Sequence, residues 1–322
     1  MSRASVTPWT AADLGDLTGR SFLVTGANSG LGLATTRELA RHGADVILAV
    51  RDVAAGEAAR TALRAELGAP RLEVCALDLI DLGSVRRLAS ALVAERRPID
   101  VLVLNAGIGA QQLVPSPEGI ESTFATNHLG HFALAGLLLE HLAERPAPRV
   151  VTVSSGFIKR GGRIDFDNLT GERGFSAMRA YVRSKLANAM FGFELDRRLR
   201  AAGSPIRSIV AHPGVAATAM HTKARGAARI AAWLVSKLVA KSADVGARAV
   251  LYAATAPELT GGEFIGPGGH VRPAAEPPGP SSADPAVWRQ LWEVSAALTG
   301  VTPKISAPHD HPTLTAAARW RA

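Results

Sequence analysis

From Ser21 onward, short continuous apolar runs alternate with longer amphipathic stretches, and this alternation limits the available folds more than any other feature. The runs Ser21–Thr25, Asp45–Ala49, Leu72–Leu77, Ile99–Leu104, Arg149–Ser154 and Ile206–Ala211 are predicted strands, with a last short one near Gly262–Ile265. Helical periodicity fills the intervals at Gly30–His42, Val53–Glu66, Ser84–Glu95, Gly119–Arg145, Ser176–Ala202 and Ser242–Thr255, and again at Ala286–Thr299. Ser84 is the expected cap of its helix. Strand and helix in turn imply βαβ units and a parallel sheet. The strands are apolar throughout rather than at alternate positions, so helices are expected on both faces. The fold class is therefore α/β, a single doubly wound domain with a mainly parallel sheet of about seven strands.

A chain of 322 residues that is 47% hydrophobic can bury a large core. The reading assigns residues 18–302 to that domain, 1–17 to an N-terminal extension and 303–322 to a C-terminal tail. The segment from Pro267 to Pro285 is rich in Pro, Gly and Ala and reads as loop. With one cysteine no internal disulfide can form, and Cys75 lies in an apolar run, where a small buried hydrophobe is expected. The formal charge of +8 is spread over scattered basic residues with no nucleic-acid motif beside them, so no nucleic-acid partner is expected. The first residues have no apolar signal core, so a cytoplasmic protein is expected. His128, His131 and Glu140, or Lys237 and Lys241, break the longest apolar stretches below the ~20 residues of a membrane span. No metal site is expected.

The first strand ends in Thr25-Gly26-Ala27-Asn28-Ser29-Gly30-Leu31-Gly32 and runs straight into a helix. In that context each glycine has a use. Gly26 permits a tight turn, Gly30 lets backbone approach a pyrophosphate, and Gly32 lets the helix lie close on the sheet. The helix N-terminus then offers unpaired N–H groups to an anion. A Rossmann-type dinucleotide site follows from strand, turn and helix together.

Tyr181 and Lys185 are four residues apart in a helical stretch and share one face. A phenol titrates near ~10, and a neighbouring ammonium stabilises the phenolate and lowers that value. Ser154 and Ser155 close the fifth strand, where a hydroxyl can hydrogen-bond a substrate oxygen. His212 reads as structural.

The glycine spacing is GxxxGxG, and with the other motifs it resembles the short-chain dehydrogenase/reductase family. The resemblance covers roughly residues 18 to 266 and holds in family order. It implies that Gly26, Asn28, Ser29, Gly30, Leu31 and Gly32 hold the dinucleotide, that Asp78 and Leu79 flank the adenine, and that Asn105, Ala106 and Gly107 lie beside the cofactor. It implies a catalytic set of Asn127, Ser155, Tyr181 and Lys185, with Tyr181 and Lys185 also touching the cofactor and Asn127 helping to hold a water that connects the lysine to solvent. Ser154 is the fallback for Ser155. Pro213, Gly214, Val215 and Thr218 would contact the nicotinamide amide. Arg51, at the end of the second strand, stands where NADP-preferring members carry a cation, which pairs with a 2′-phosphate. Asp52 follows it, and an acidic residue at that strand end would favour NAD. NADP(H) is the preferred cofactor and NAD(H) the other candidate.

The interval from Ser155 to Tyr181 is 26 positions, about twice the common spacing. The inserted Lys159–Ala177, with the Gly261–Pro267 and Leu291–Thr299 segments, looks similar to the retinol-dehydrogenase-like branch. Animal members of that branch often carry a membrane anchor, and none is expected here. A substrate loop is expected at 219–241; Met220, Ile230, Trp233, Leu234, Leu238 and Val239 suggest an apolar substrate or a helix packed on the core. The expected activity is hydride exchange between NADP(H) and a small-molecule carbonyl or alcohol, from a chain that could form a homo-oligomer. Two other readings stand beside it. One is a catalytically silent NADP(H)-binding regulatory protein, and the other a double-bond reductase of protochlorophyllide-reductase type. The full catalytic set weighs against the first, and the single cysteine against the second.

Overall fold

The computed structural model describes residues 9–160, 162–214, 243–267, 274–275 and 279–307. Its elements follow the alternation read from the sequence. They are β1 (Ser21–Thr25), α1 (Gly30–Arg41), β2 (Asp45–Val50), α2 (Val53–Leu67), β3 (Leu72–Ala76), α3 (Leu82–Ala94) and β4 (Val101–Leu104). The next helix, α4, runs through Ser122–Phe124, a π turn at Ala125–Leu129, and Gly130–Ala143. Then come β5 (Arg149–Val153), α5 (Ala177–Ala201), β6 (Arg207–Ala211), α6 over 243–255, β7 (Phe264–Gly266), β8 (Ala274–Ala275) and α7 (Pro285–Thr299).

The strand order is β3-β2-β1-β4-β5-β6-β7-β8. Seven strands run parallel, with registers such as Leu23↔Ile47, Leu23↔Leu102 and Val151↔Ile209. The eighth is a two-residue antiparallel addition, Ile265↔Ala275, in a segment read from the sequence as loop. From β1 the chain winds out to β3, then returns to place β4 on the other side of β1. The carboxyl ends of β1 and β4 thus flank the point where the winding reverses, the place where open α/β sheets bind ligands.

Period-2 geometry divides the strand residues between two cores. Phe22, Val24, Val46, Leu48, Val101 and Val103 face one side, with Leu39 of α1 and Val250 and Leu251 of α6. Leu23, Ile47, Leu102, Leu104 and Val150 face the other, with α3 and α4. All these side chains are fully or almost fully buried, which explains why the strands read as unbroken apolar runs. Two charged groups in this interior are held by specific bonds. Asp100 accepts from Ser21 N at 2.7 Å and Arg145 Nε at 2.8 Å. The Arg149 guanidinium donates to the carbonyls of Ala253 and Ala256 at the end of α6, where a cation suits the helix dipole.

Two local expectations change. Asp81, not Ser84, caps α3 by accepting from Gly83 N at 2.8 Å. Ser84 Oγ instead accepts from Asp78 N at 3.0 Å, holding the strand-to-helix turn. Cys75 is half-buried rather than buried, and burial with the neighbouring Glu73 pushes its thiol up to about 12.

The C-terminal helix α7 closes the second core. Trp292 meets Phe132 of α4 edge-on at 5.2 Å and stacks on Phe191 of α5 at 6.0 Å, while Arg198 lies 4.5 Å over its ring. Trp292→Ala is expected to lower the unfolding free energy by about 3–5 kcal/mol. Urea denaturation measures this, and an unchanged midpoint would show that α7 does not seal the core.

Candidate functional site

The glycine turn takes the shape its residues require. Gly26 has φ +66 and Gly30 φ +52, both in the left-handed region. A Cβ on Gly32 would collide with the carbonyl oxygen of Gly26 and stand 2.6 Å from Asn105 Nδ2. A Cβ on Gly30 would meet nothing within 4 Å, because Gly30 borders open space. Asn28 is half-buried, Ser29 exposed and Leu31 half-buried against the first core. Ser29 is the N-cap of α1, yet its hydroxyl caps nothing, and the first turn holds no acidic residue. A helix N-terminus left uncapped by Ser29 and bordering open space at Gly30 fits a dinucleotide pyrophosphate.

Thr25 ties this turn to the next loop. Its Oγ1 accepts from Asn105 N and Ala106 N, each at 2.9 Å, while Asn105 Nδ2 donates to Thr25 O at 2.8 Å. Gly107 follows, and a Cβ on it would lie 3.2 Å from Lys185 Nζ and 3.5 Å from Asn127 Oδ1. The loop after β4 therefore lies against the two helices that carry Asn127 and Lys185.

Asn127 sits in the π turn of α4, fully buried. A π turn adds a residue to the helical repeat and is often found at functional sites. The Asn127 amide pairs with the main chain of Ile108, with Oδ1 accepting from Ile108 N at 2.8 Å and Nδ2 donating to Ile108 O at 2.9 Å. Nδ2 also donates to Ser184 Oγ at 2.9 Å, and that hydroxyl donates to Tyr181 O at 2.8 Å. The Asn127 side chain is thus engaged in joining α4, the β4 loop and the Tyr181 turn of α5.

Tyr181 and Lys185 are both buried, one turn apart on α5. Lys185 Nζ donates to Val153 O at 3.2 Å, and among the described residues no carboxylate pairs with it. Burial pulls its pKa down from 10.5 to about 8. The two serines at the end of β5 part company. Ser154 Oγ donates to Lys185 O at 2.7 Å, a structural bond, while Ser155 Oγ accepts from Phe157 N at 3.3 Å. The Ser155 hydroxyl proton is thus not committed by that bond.

At the outer end of the site, Arg51 is exposed after β2. Asp52 is taken up as the N-cap of α2, accepting from Ala55 N at 3.0 Å. Asp78 is half-buried and accepts from Ile80 N at 3.3 Å. Leu79 is buried beneath α4, where a Cβ on Gly130 would collide with its carbonyl oxygen. Pro213 and Gly214 follow β6. Gly214 has φ +88 and donates its N–H to His212 Nδ1 at 3.2 Å, and His212 stacks on Phe264. Val215, Thr218 and the expected substrate loop at 219–241 lie outside the described residues.

The insert between β5 and α5 forms short 3-10 turns at Gly156–Arg160 and Phe166–Asn168. It is pinned by Arg183, which lies between Tyr181 and Lys185 in sequence. Arg183 donates to Asn168 O at 2.8 Å, pairs with fully buried Glu121 at 3.3 Å and lies over the Phe124 ring. Glu121 in turn caps α4 through Thr123 N at 2.6 Å and Phe124 N at 3.1 Å. A cavity of about 630 Å³ lies between the insert and the flank of α5, with Phe175, Met178 and Val182 among its walls. The sequence reading missed Thr25, Ser184, Arg183 and Glu121 as parts of this assembly. Thr25 stands next to Gly26 and Ser184 next to Lys185, but their partners are far away in the chain.

Among the described residues no group of side chains could hold a metal ion, and no helix is long and apolar enough to cross a membrane. The family model described as short chain dehydrogenase matches residues 20–228. The chain is 39% identical over 288 residues to mouse (Mus musculus) polyprenol dehydrogenase, covering 88% of this chain and 84% of that protein. It is 37% identical over 291 residues to human retinol dehydrogenase 13, covering 88% and 85%. A crystal structure of a protein from Mycobacterium paratuberculosis superposes with a TM-score of 0.78 at 44% identity, covering 93% of this chain and all of that one.

Removing the cation that faces Glu121 would leave a carboxylate in the interior with only two N–H donors. Arg183→Met is expected to lower stability by about 3–5 kcal/mol, and Glu121→Gln in the same chain should recover part of that. Urea midpoints of the single and double variants measure the pair, and equal loss in both would mean that the buried charge is not the cause.

Proposed function

This chain belongs to the short-chain dehydrogenase/reductase family, in its retinol-dehydrogenase-like branch, and from that premise we propose that it interconverts an apolar alcohol and its carbonyl compound with NADP(H). The single observation that carries the reading is a buried Lys185, unpaired with any carboxylate among the described residues, one helical turn from Tyr181 and against the loop that follows β4. An ammonium in that position favours the phenolate over the phenol.

Residues of the glycine turn from Gly26 to Gly32 would hold the pyrophosphate, Asp78 and Leu79 the adenine end, and Asn105 to Gly107, Lys185 and the Pro213–Thr218 segment the nicotinamide end. When bound, the nicotinamide supplies or takes up the hydride. Ser155 Oγ and Tyr181 Oη hydrogen-bond the substrate oxygen and orient it. In reduction, Tyr181 Oη gives its proton to that oxygen; in oxidation it takes the proton from the alcohol. Lys185 Nζ stabilises the phenolate in both directions. Asn127 holds the β4 loop against Lys185. With Asp52 committed to capping α2, Arg51 is the charged group free at the end of β2, which supports a 2′-phosphate partner.

The similarity to retinol and polyprenol dehydrogenases supports a long apolar substrate. Exposed Leu113 and Val114 after β4, and Met178 at the start of α5, support it as well. We place the protein in the cytoplasm, with residues 18–302 as the catalytic unit. The complete set Asn127, Ser155, Tyr181 and Lys185 supports an enzyme over a silent cofactor-binding protein.

Tyr181→Phe is expected to lower kcat by about three orders of magnitude, within the range of general acid–base catalysis, while NADPH affinity stays within a few-fold. Stopped-flow turnover of a long-chain aldehyde and NADPH fluorescence titration measure the two, and a fully active variant would sink the acid–base role. Arg51→Asp is expected to reverse the preference between NADPH and NADH. The ratio of kcat/KM for the two cofactors measures it, and an unaltered ratio would remove Arg51 from the site.

A further inference from the structure

One turn beyond Asn127, His131 is buried to 1% exposure and uses both ring nitrogens. Nδ1 lies 2.8 Å from the carbonyl oxygen of Asn127, and Nε2 lies 2.9 Å from Thr25 Oγ1. A carbonyl oxygen can only accept, so Nδ1 carries the proton and Nε2 is the acceptor. Thr25 Oγ1 must therefore donate to the ring; the other acceptor within its reach, Val103 O, is farther at 3.4 Å. With its proton turned to the ring, the hydroxyl has its lone pairs for Asn105 N and Ala106 N. Burial, with the Lys185 ammonium adding repulsion, holds His131 down at about 3, so the ring is neutral at working pH.

We propose that His131 is a positioning residue that couples the dinucleotide turn to the proton-transfer end of the site. The proposal rests on the oxidoreductase reading above. The neutral ring fixes the Asn127 carbonyl and the Thr25 hydroxyl at once. Through Thr25 it sets the loop from Asn105 to Gly107, where a Cβ on Gly107 would lie 3.2 Å from Lys185 Nζ and 3.5 Å from Asn127 Oδ1. Loss of the ring lets the loop and the Asn127 carbonyl move independently. The pyrophosphate grip rests chiefly on the approach of Gly32 to the Gly26 carbonyl, which the ring does not touch, so cofactor affinity changes little. The signature is a fall in kcat at nearly constant cofactor affinity. Effects at Thr25 and His131 should not add, because they break one network.

The full chain is assayed with NADPH and decanal or retinal, in wild type and in His131→Phe, His131→Asn, Thr25→Val, Thr25→Ser and the Thr25→Val/His131→Phe pair. His131→Phe and Thr25→Val should each lower kcat roughly tenfold, the scale of one net hydrogen bond, with NADPH Kd within about threefold. The pair should be no worse than the more damaged single variant. Thr25→Ser, which keeps the hydroxyl, should retain wild-type kcat. His131→Asn keeps a donor for the Asn127 carbonyl but loses the Thr25 contact, and should behave like Thr25→Val. If His131→Phe does not fold, the His131→Asn and Thr25→Val pair completes the cycle. Wild-type kcat in a folded His131 variant, or additive losses in the pair, would overturn the proposal. If wild type turns over neither carbonyl, the oxidoreductase reading is what fails for these substrates. Amide hydrogen exchange then still tests the coupling. Faster exchange at Asn105, Ala106 and Ile108 in the His131 variants supports it, and unchanged exchange overturns it.

Discussion

The first turn of α1 rests directly on the carbonyl of Gly26 because Gly32 has no side chain to hold it away. That contact brings the helix N-terminus down to the end of β1, where its N–H groups meet open space rather than packed atoms. The same approach brings Asn105 within reach of Thr25 and so joins β1 to β4 at the point where the winding of the sheet reverses. A methyl group here would lift α1, widen the crevice and loosen the loop after β4 together. The anion-binding end and the proton-transfer end are thus built on one close approach.

At the far end of the crevice the governing constraint is a charge kept from water. Lys185 is buried and donates to a carbonyl oxygen, and among the described residues no carboxylate pairs with it. A carboxylate there would neutralise the ammonium and remove its effect on the phenol. The fold satisfies the surrounding polar groups instead by neutral bonds, through Asn127, Ser184 and Ser154. The formal ion pair nearby, Glu121 with Arg183, is set on the other side of α5, where it fastens the insert and the start of α4. Stability and reactivity are therefore handled by different faces of the same helix.

The inner strands were legible because they are buried on both faces and so run apolar at successive positions, whereas the edge strand β3 is mostly half-buried and carries Glu73. The glycine turn was legible because each glycine meets a separate steric demand, now visible at Gly26, Gly30 and Gly32. Asp81 and Ser84 are both good caps, and propensity alone did not reveal that the serine hydroxyl serves the preceding turn. The π turn around Asn127 left no mark, since its apolar neighbours suit an ordinary helix equally well. The bond between His131 and Thr25 joins positions 106 apart in the chain, and no local pattern announces such a meeting. β8 was invisible because two alanines among prolines and glycines have neither length nor hydrophobic pattern.

The aromatic seal made by Trp292 is supplied by a helix that follows every strand of the sheet in the chain. Until residues 285–299 have emerged, Phe132 and Phe191 have no lid, and α4 and α5 present an oily seam to the surroundings. A chain whose sheet assembled before that helix docked would carry an adhesive surface. Synthesis and final closure are thereby linked in time, and the interval between them is when the chain depends most on dilution or on a chaperone.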